Sequence, residues 1–205
     1  MRISELSRLS GVSTASIKYY VRAGLLHEGV REGYNHTEYA ATHLERLRLI
    51  RVLLDEGGLT VVKARAVLAA IDTPDATLLE VMEVAQRALP TSHQPASAWA
   101  LATIEEACSE HDWIVEEGNA GLAIVAQVLD ALNELGRLDL LSLLPAYADA
   151  ADAVARADVQ AIAPVRDRAA TASMVVIGTV LGDRALQGLR RIAQGNYVRR
   201  SAEQP

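Results

Sequence analysis

One cysteine, Cys108, occurs in 205 residues. A lone thiol excludes an internal disulfide and any Cys-rich zinc or iron–sulfur site. Phenylalanine is absent and aromatics reach only 4%, and four of the six tyrosines fall within the first 40 residues. No uninterrupted apolar run approaches the roughly 20 residues of a bilayer-crossing helix. Met1-Arg2-Ile3-Ser4-Glu5 opens a polar–apolar alternation and not a signal peptide. These absences predict a soluble, cytoplasmic chain with no membrane partner. Against them stand 50% apolar and 22% charged residues, enough to build a core and to argue against wholesale disorder. The length suits one medium domain, or a small module followed by a second.

The net charge of −6 hides an asymmetry. Residues 1–54 carry eight Lys/Arg against five Asp/Glu, and residues 73–205 carry ten against eighteen. A basic front on an acidic body suggests that the front alone meets a polyanion, although a fluctuation of this size decides nothing by itself.

Nearly every segment reads as helix. Ile3, Leu6 and Leu9 recur at helical spacing before Gly11, and Ser13 is placed to cap a helix with Ile17, Tyr20 and Val21 on one side and Gly24 at its end. Residues 27–35 are too glycine-rich for helix and suit a short hairpin or loop. Thr42 and Glu45 have capping-box spacing for a helix running to Gly57-Gly58, and Thr60 caps the next, with Ala64, Val67, Leu68 and Ile71 inward. A helix is expected over about 76–89, then a linker at 90–95. Residues 96–205 hold 24 alanines in 110 positions, and five helices are expected near 97–116, 119–136, 138–156, 158–182 and 183–197. The fold class is therefore mainly α.

Residues 3–23 have the form of a helix-turn-helix. At 100° per residue, Ala15, Lys18, Tyr19 and Arg22 fall opposite the apolar side of the second helix. This basic, aromatic strip is narrow enough for a major groove about 12 Å wide. Lys18 and Arg22 can donate to guanine edges or phosphates, and Tyr19 offers a hydroxyl and a flat ring. Ser13 and Thr14 sit at the positive end of the helix dipole, where backbone N–H groups favour a phosphate. A solvated face on a structural helix is the bland alternative.

The run Lys18-Tyr19-Tyr20, Gly24-Leu25-Leu26, Gly33-Tyr34, Leu44-Glu45-Arg46-Leu47-Arg48-Leu49-Ile50-Arg51 and Gly57-Gly58-Leu59-Thr60, in that order, resembles the MerR family of bacterial transcription regulators over residues 1–71. The resemblance implies a winged helix-turn-helix DNA-binding domain over 1–72, and a homodimer on an inverted repeat of double-stranded DNA in a promoter. It implies activation by distorting a promoter whose elements are spaced too far apart, hence RNA polymerase as a partner; repression from the same site is also compatible. Arg31 and Tyr34 match the family's wing contacts by position, with His36 and Tyr39 as weaker candidates. Arg48 and Arg51 are placed to reach the backbone, while Arg46 is equally suited to pairing with neighbouring carboxylates.

Two features depart from the pattern. Val21 stands where many members have Glu, and residues 78–89 allow only about three turns before Pro90 and Pro95, too little apolar surface to hold a dimer alone. Residues 73–95 are thus expected to be a short helix and linker, and 96–205 an all-helical dimerisation or effector domain. In that domain Trp99, Trp113 and Tyr147, with Met174, could wall a pocket for a small-molecule effector, with Glu106 or Glu117 facing a cation. Space-filling in an Ala-rich bundle is the commoner role of such residues.

Glu105, Cys108, His111 and Asp112 share a helix face, but one face rarely completes a metal's coordination. No metal or other cofactor is expected, and His27, His36 and His43 read as polar surface. No phosphate-binding glycine loop, nucleophile motif or paired-histidine signature points to an enzyme. Two rival functions remain: an architectural DNA-binding protein, and a ligand- or drug-binding protein with an accessory DNA-binding module.

Overall fold

The computed structural model describes residues 1–31, 37–90, 95–116 and 118–202. The elements are α1 (Ile3–Ser10), α2 (Thr14–Arg22), β1 (Val30–Arg31), β2 (Thr37–Glu38), α3 (Ala41–Arg51), a π-helical stretch (Val52–Glu56), α4 (Val61–Asp72), α5 (Leu78–Ala88), α6 (Ala98–Glu110), α7 (Ala120–Glu134), a 3-10 stretch (Leu138–Leu143), α8 (Leu144–Ile162) and α9 (Arg168–Ala202). β1 and β2 pair antiparallel, Val30 opposite Glu38 and Arg31 opposite Thr37. The architecture is mainly α, as the sequence predicts.

The chain divides into two compact units, Met1–Leu89 with Asp167–Pro205, and Pro90–Arg166. The first is built on Leu6, Ile17, Leu25, Leu47, Ile50, Leu53, Val67 and Leu68, all at most 1% exposed. Local chemistry starts α2 and α4 where the sequence predicts. The N–H of Ser16 donates to Ser13 Oγ at 3.0 Å and that of Lys63 to Thr60 Oγ1 at 3.3 Å. Thr77 and Glu80 form a reciprocal capping box at the head of α5. Gly11 and Gly24 take φ of 70° and 73° where α1 and α2 end, the left-handed conformation glycine adopts without steric cost.

Four expectations need correction. The helix α3 starts one residue before Thr42, and its end is closed by His43: the N–H of Ala40 donates to His43 Nδ1 at 3.1 Å, and the other ring nitrogen lies 3.4 Å from the carbonyl of Glu28. His43 is therefore a structural cap. Second, the short helix expected over about 76–89 is present as α5 but is part of the first unit and not a separate connecting segment: it packs on α4 and α9, with Val81, Ala85 and Ala88 buried.

Third, the two helices expected at 158–182 and 183–197 are largely one, α9, which continues through Gly182. Fourth, α9 belongs to the first unit and not with residues 96–166. Ala172, Val176 and Val180 enter that unit's core, and Arg168 reaches back to donate to the carbonyls of Ile71 at 3.2 Å and Ala76 at 2.5 Å. By length and composition α9 could cross a membrane, which the run-by-run reading of the sequence does not register.

In the second unit, α6 and α7 pack around Ala100, Ile104, Ala107, Cys108, Ala126 and Leu129. Ser97 caps α6 and is itself held by Asp130 of α7, at 2.8 Å through its N–H and 2.5 Å through its hydroxyl. The expected helix at 138–156 opens as the 3-10 stretch and continues as α8, with Pro145 in the first turn of α8 where its missing N–H costs nothing.

Candidate nucleic-acid interface

The interface starts from one buried residue. Ile17 is 0% exposed and fixes α2 against the core, so the opposite face is turned to solvent. That face carries Ser13, Thr14, Lys18, Tyr19 and Arg22, all exposed. The Tyr19 ring stands 5.9 Å from that of Tyr20 at 51°. Tyr20 is half-buried, and burial together with Asp55 pushes its hydroxyl above the usual tyrosine range. Tyr19 is thus the tyrosine that faces out, and Tyr20 the one that packs.

Arg31 lies exposed on β1, and Arg48 exposed on α3. Among the described residues, Lys18, Arg22, Arg31 and Arg48 take part in no hydrogen bond or ion pair. These cations, two on α2, one on β1 and one on α3, suit phosphate, since none must first give up an internal partner. The neighbouring arginines behave differently. Arg46, with its side chain 11% exposed, forks onto Asp72 at 2.5 and 3.0 Å and donates to the carbonyl of Leu25 at 3.0 Å. Arg51 pairs with Asp55 at 3.3 Å and donates to the carbonyl of Ser10. Arg46 and Arg51 hold the unit together.

The hairpin is set by Gly29. A Cβ there would meet the Glu38 carbonyl at 2.5 Å and Thr37 Cγ2 at 2.7 Å, so only glycine lets the second strand pass this close. Tyr34 and His36 lie outside the described residues. Tyr39 departs from its expected role: it is 8% exposed, its ring meets His43 edge-on at 5.2 Å, and its backbone pairs in both directions with Met1 at 2.8 and 2.9 Å. It is a core residue that anchors the N-terminus. Sequence reasoning missed this anchor because it is a contact across the fold, and missed the local cap at Ala40 because histidine is not among the usual capping residues.

The effector candidates are not brought together. Trp99 lies at the start of α6 and Trp113 just past its end, with most of the helix between them. Trp99, 40% exposed, lines a cavity of about 920 Å³ with Pro95, Ile124, Val128, Asp130 and Glu134. Trp113 stacks at 4.9 Å on His111 and donates its indole N–H to Asp152 at 3.2 Å. Tyr147 is 47% exposed on α8, and Met174 lies on α9, in the other unit. Glu106 is exposed on α6, and Glu117 lies outside the described residues.

Of the face considered for a metal, Cys108 is buried, and that burial raises its thiol above the usual range. His111 is engaged at both ring nitrogens, with the Ala107 carbonyl at 3.1 Å and Asp149 at 3.0 Å.

Comparison with known proteins places this interface in context. The family model described as "MerR HTH family regulatory protein" matches residues 1–71. The HTH-type transcriptional regulator CueR of Yersinia pestis is 31% identical over 94 residues, 42% of this chain and 67% of that protein. A protein of Haemophilus influenzae described as a heavy metal-dependent transcriptional regulator is 32% identical over 94 residues, 46% of this chain and 73% of that one. Among solved structures, that of SCO5550 from Streptomyces coelicolor A3(2), described as a transcriptional regulator, matches with a TM-score of 0.70 and 30% identity over 98% of this chain and 97% of that one.

Proposed function

Because the chain belongs to the MerR family of helix-turn-helix regulators, we propose that it binds one double-stranded operator with sequence preference and controls transcription from it. The α2 face carries the reading. Lys18 and Arg22 enter the major groove, Tyr19 packs on the backbone, and the N-terminus of α2 at Ser13 and Thr14 receives a phosphate. Arg31 on β1 and Arg48 on α3 hold phosphates to either side, and Tyr34 joins Arg31 in the wing. The observation that supports this most directly is the pair of exposed cations without internal partners, Lys18 and Arg22, on a helix whose other side is locked by Ile17.

A two-fold operator is read by a two-fold protein, so the acting species is a homodimer in the bacterial cytoplasm. It activates by distorting a promoter with overlong spacing, presenting that promoter to RNA polymerase. A small-molecule effector, if one acts, has the Trp99 cavity of the second unit as its place of entry, whereas Trp113 ties the end of α6 to α8 through Asp152. The chain has no enzymatic role in this reading.

Footprinting of the full chain on the DNA upstream of its own gene tests the proposal. Protection of one short palindrome is expected. Even coating of the fragment would instead favour an architectural protein, and absence of protection a ligand-binding role for the second unit.

A further inference from the structure

The exposed side of α9 is unlike that of any other described helix in the first unit. Its core-facing residues are Ala172, Val176 and Val180, all at most 2% exposed. At 100° per residue a second apolar face lies roughly 140° away, about 120° wide, and holds Val175, Gly178, Gly182, Ala185, Leu186, Leu189, Ile192 and Ala193. Leu186, Leu189 and Ile192 are 40%, 64% and 71% exposed. A Cβ placed on Gly178 or Gly182 would have nothing within 4 Å. The face is therefore bulky in its C-terminal half and open in its N-terminal half.

We propose that this face is the seam of the homodimer, formed by two α9 helices packed antiparallel about Ala185–Leu186. That point is the middle of a helix running from Arg168 to Ala202, so each helix lies along the other over most of its length. In this register Leu189 of one copy sits over Gly182 of the other, Leu186 over Ala185, and Ala193 over Gly178. At the two central steps a leucine meets a small residue, at the outer step two small residues meet, and the same face completes itself under a two-fold rotation.

Charge selects the orientation. Residues 184–202 carry Arg184, Arg190, Arg191, Arg199 and Arg200 and no Asp or Glu, whereas residues 168–183 carry only Arg168 and Asp183. A parallel pair would set two groups of five arginines side by side. The antiparallel pair sends them to opposite ends, each along the nearly neutral half of its partner. Contact from Val175 to Asn196 runs about 32 Å at 1.5 Å per residue. With helices about 10 Å across, this buries on the order of 1,000 Å² in all, at the threshold of a stable interface. The helix α5 is the poorer candidate: Val81, Ala85 and Ala88 are buried in its own unit, and its exposed large apolar residues, Leu78 and Leu79, lie together in its first turn.

The inference rests on the regulatory reading only for the need of a two-fold protein; the seam itself rests on α9. The test uses the full chain, because removing α9 would open the core at Ala172, Val176 and Val180. Sedimentation velocity at micromolar concentration is expected to show a dimer for the natural sequence and a monomer for Leu189→Glu/Ile192→Glu, with an unchanged circular dichroism spectrum. In a Cys108→Ser background, Gly182→Cys/Leu189→Cys is expected to form a covalent dimer on mild oxidation. Two turns, about 10 Å, separate these positions within one helix, so the bridge must join two copies.

A monomeric natural chain, a glutamate variant that stays dimeric, or a dimer in which the cysteine pair does not cross-link would each overturn the proposal. Binding of the glutamate variant to a half-site duplex separates the two readings. Retained half-site binding with at least tenfold weaker full-site binding supports the seam. Loss of half-site binding by the natural sequence would count against the DNA-reading role of α2 and not against the seam.

Discussion

Arg46 and Asp72 lie 26 residues apart and meet in a two-pronged ion pair, with nitrogen–oxygen distances of 2.5 and 3.0 Å. The pair joins α3, which carries Arg48, to the end of α4, and the guanidinium also donates to the carbonyl that closes α2 at Leu25. Three elements of the first unit thus converge on one side chain.

Replacing that side chain is expected to unsettle all three. Arg46→Ala leaves Asp72 and the Leu25 carbonyl without their donor and should cost about 1–3 kcal/mol, as for loss of charged hydrogen bonds in a half-exposed pair. Asp72, more exposed, should cost less when changed to Ala. Urea unfolding followed by circular dichroism measures both, and equal costs would show that Arg46 contributes little beyond the ion pair.

The glycines of the first unit divide into those that are needed and those that are not. A Cβ on Gly57 would meet the Leu53 carbonyl at 2.8 Å, Leu59 at 2.9 Å and Val180 at 3.0 Å, where α9 rests on the π-helical stretch. Gly57→Ala should therefore destabilise by about 1–3 kcal/mol through overpacking. Gly188, inside α9 with nothing within 4 Å of such a Cβ, should gain roughly 0.5–1 kcal/mol as Ala. Opposite signs in thermal unfolding are expected, and two changes of the same sign would contradict the packing of α9 on this stretch.

The second unit should carry a pH-dependent contact. The hydrogen bond to Asp149, then that to the Ala107 carbonyl, raises the His111 pKa above its ordinary value near 6.5. A histidine whose pKa is raised on folding stabilises fully below its unfolded pKa and loses that contribution as pH rises through the folded one. Asp149→Asn should therefore lower the unfolding temperature more at pH 6 than at pH 8.5. An NMR titration of His111 that is unmoved by Asp149→Asn would contradict this coupling.

What was legible in the sequence was local. Ser13 and Thr60 each satisfy an N–H three residues on, and a capping residue followed by apolar periodicity announces this; Thr77 caps α5 in the same way, but sequence reasoning missed it. The recognition strip was legible for the same reason, since Lys18, Tyr19 and Arg22 share a face by spacing alone. The boundary expected between residues 182 and 183 is absent because the chain does not turn left-handed there, as it does at Gly11 and Gly24. At Gly182 the chain stays helical, its preceding turn held in place by Val180 in the core. The return of α9 to the first unit, the Arg46–Asp72 pair and the burial of Tyr39 depend on contacts across 26 to more than 90 residues, and no local pattern announces those.

The central claim is that α2 reads DNA through Lys18 and Arg22, and fluorescence anisotropy of the full chain on the duplex protected in footprinting tests it most directly. Lys18→Ala and Arg22→Ala are each measured over a range of salt concentrations. A residue that reads a base should lose about 1–3 kcal/mol of affinity and discrimination at that base pair. A residue that meets phosphate alone should weaken all sequences evenly and lower the salt slope by about one unit. Wild-type affinity and salt slope in both variants would contradict the account, and α2 would then be a solvated helix rather than the reading head.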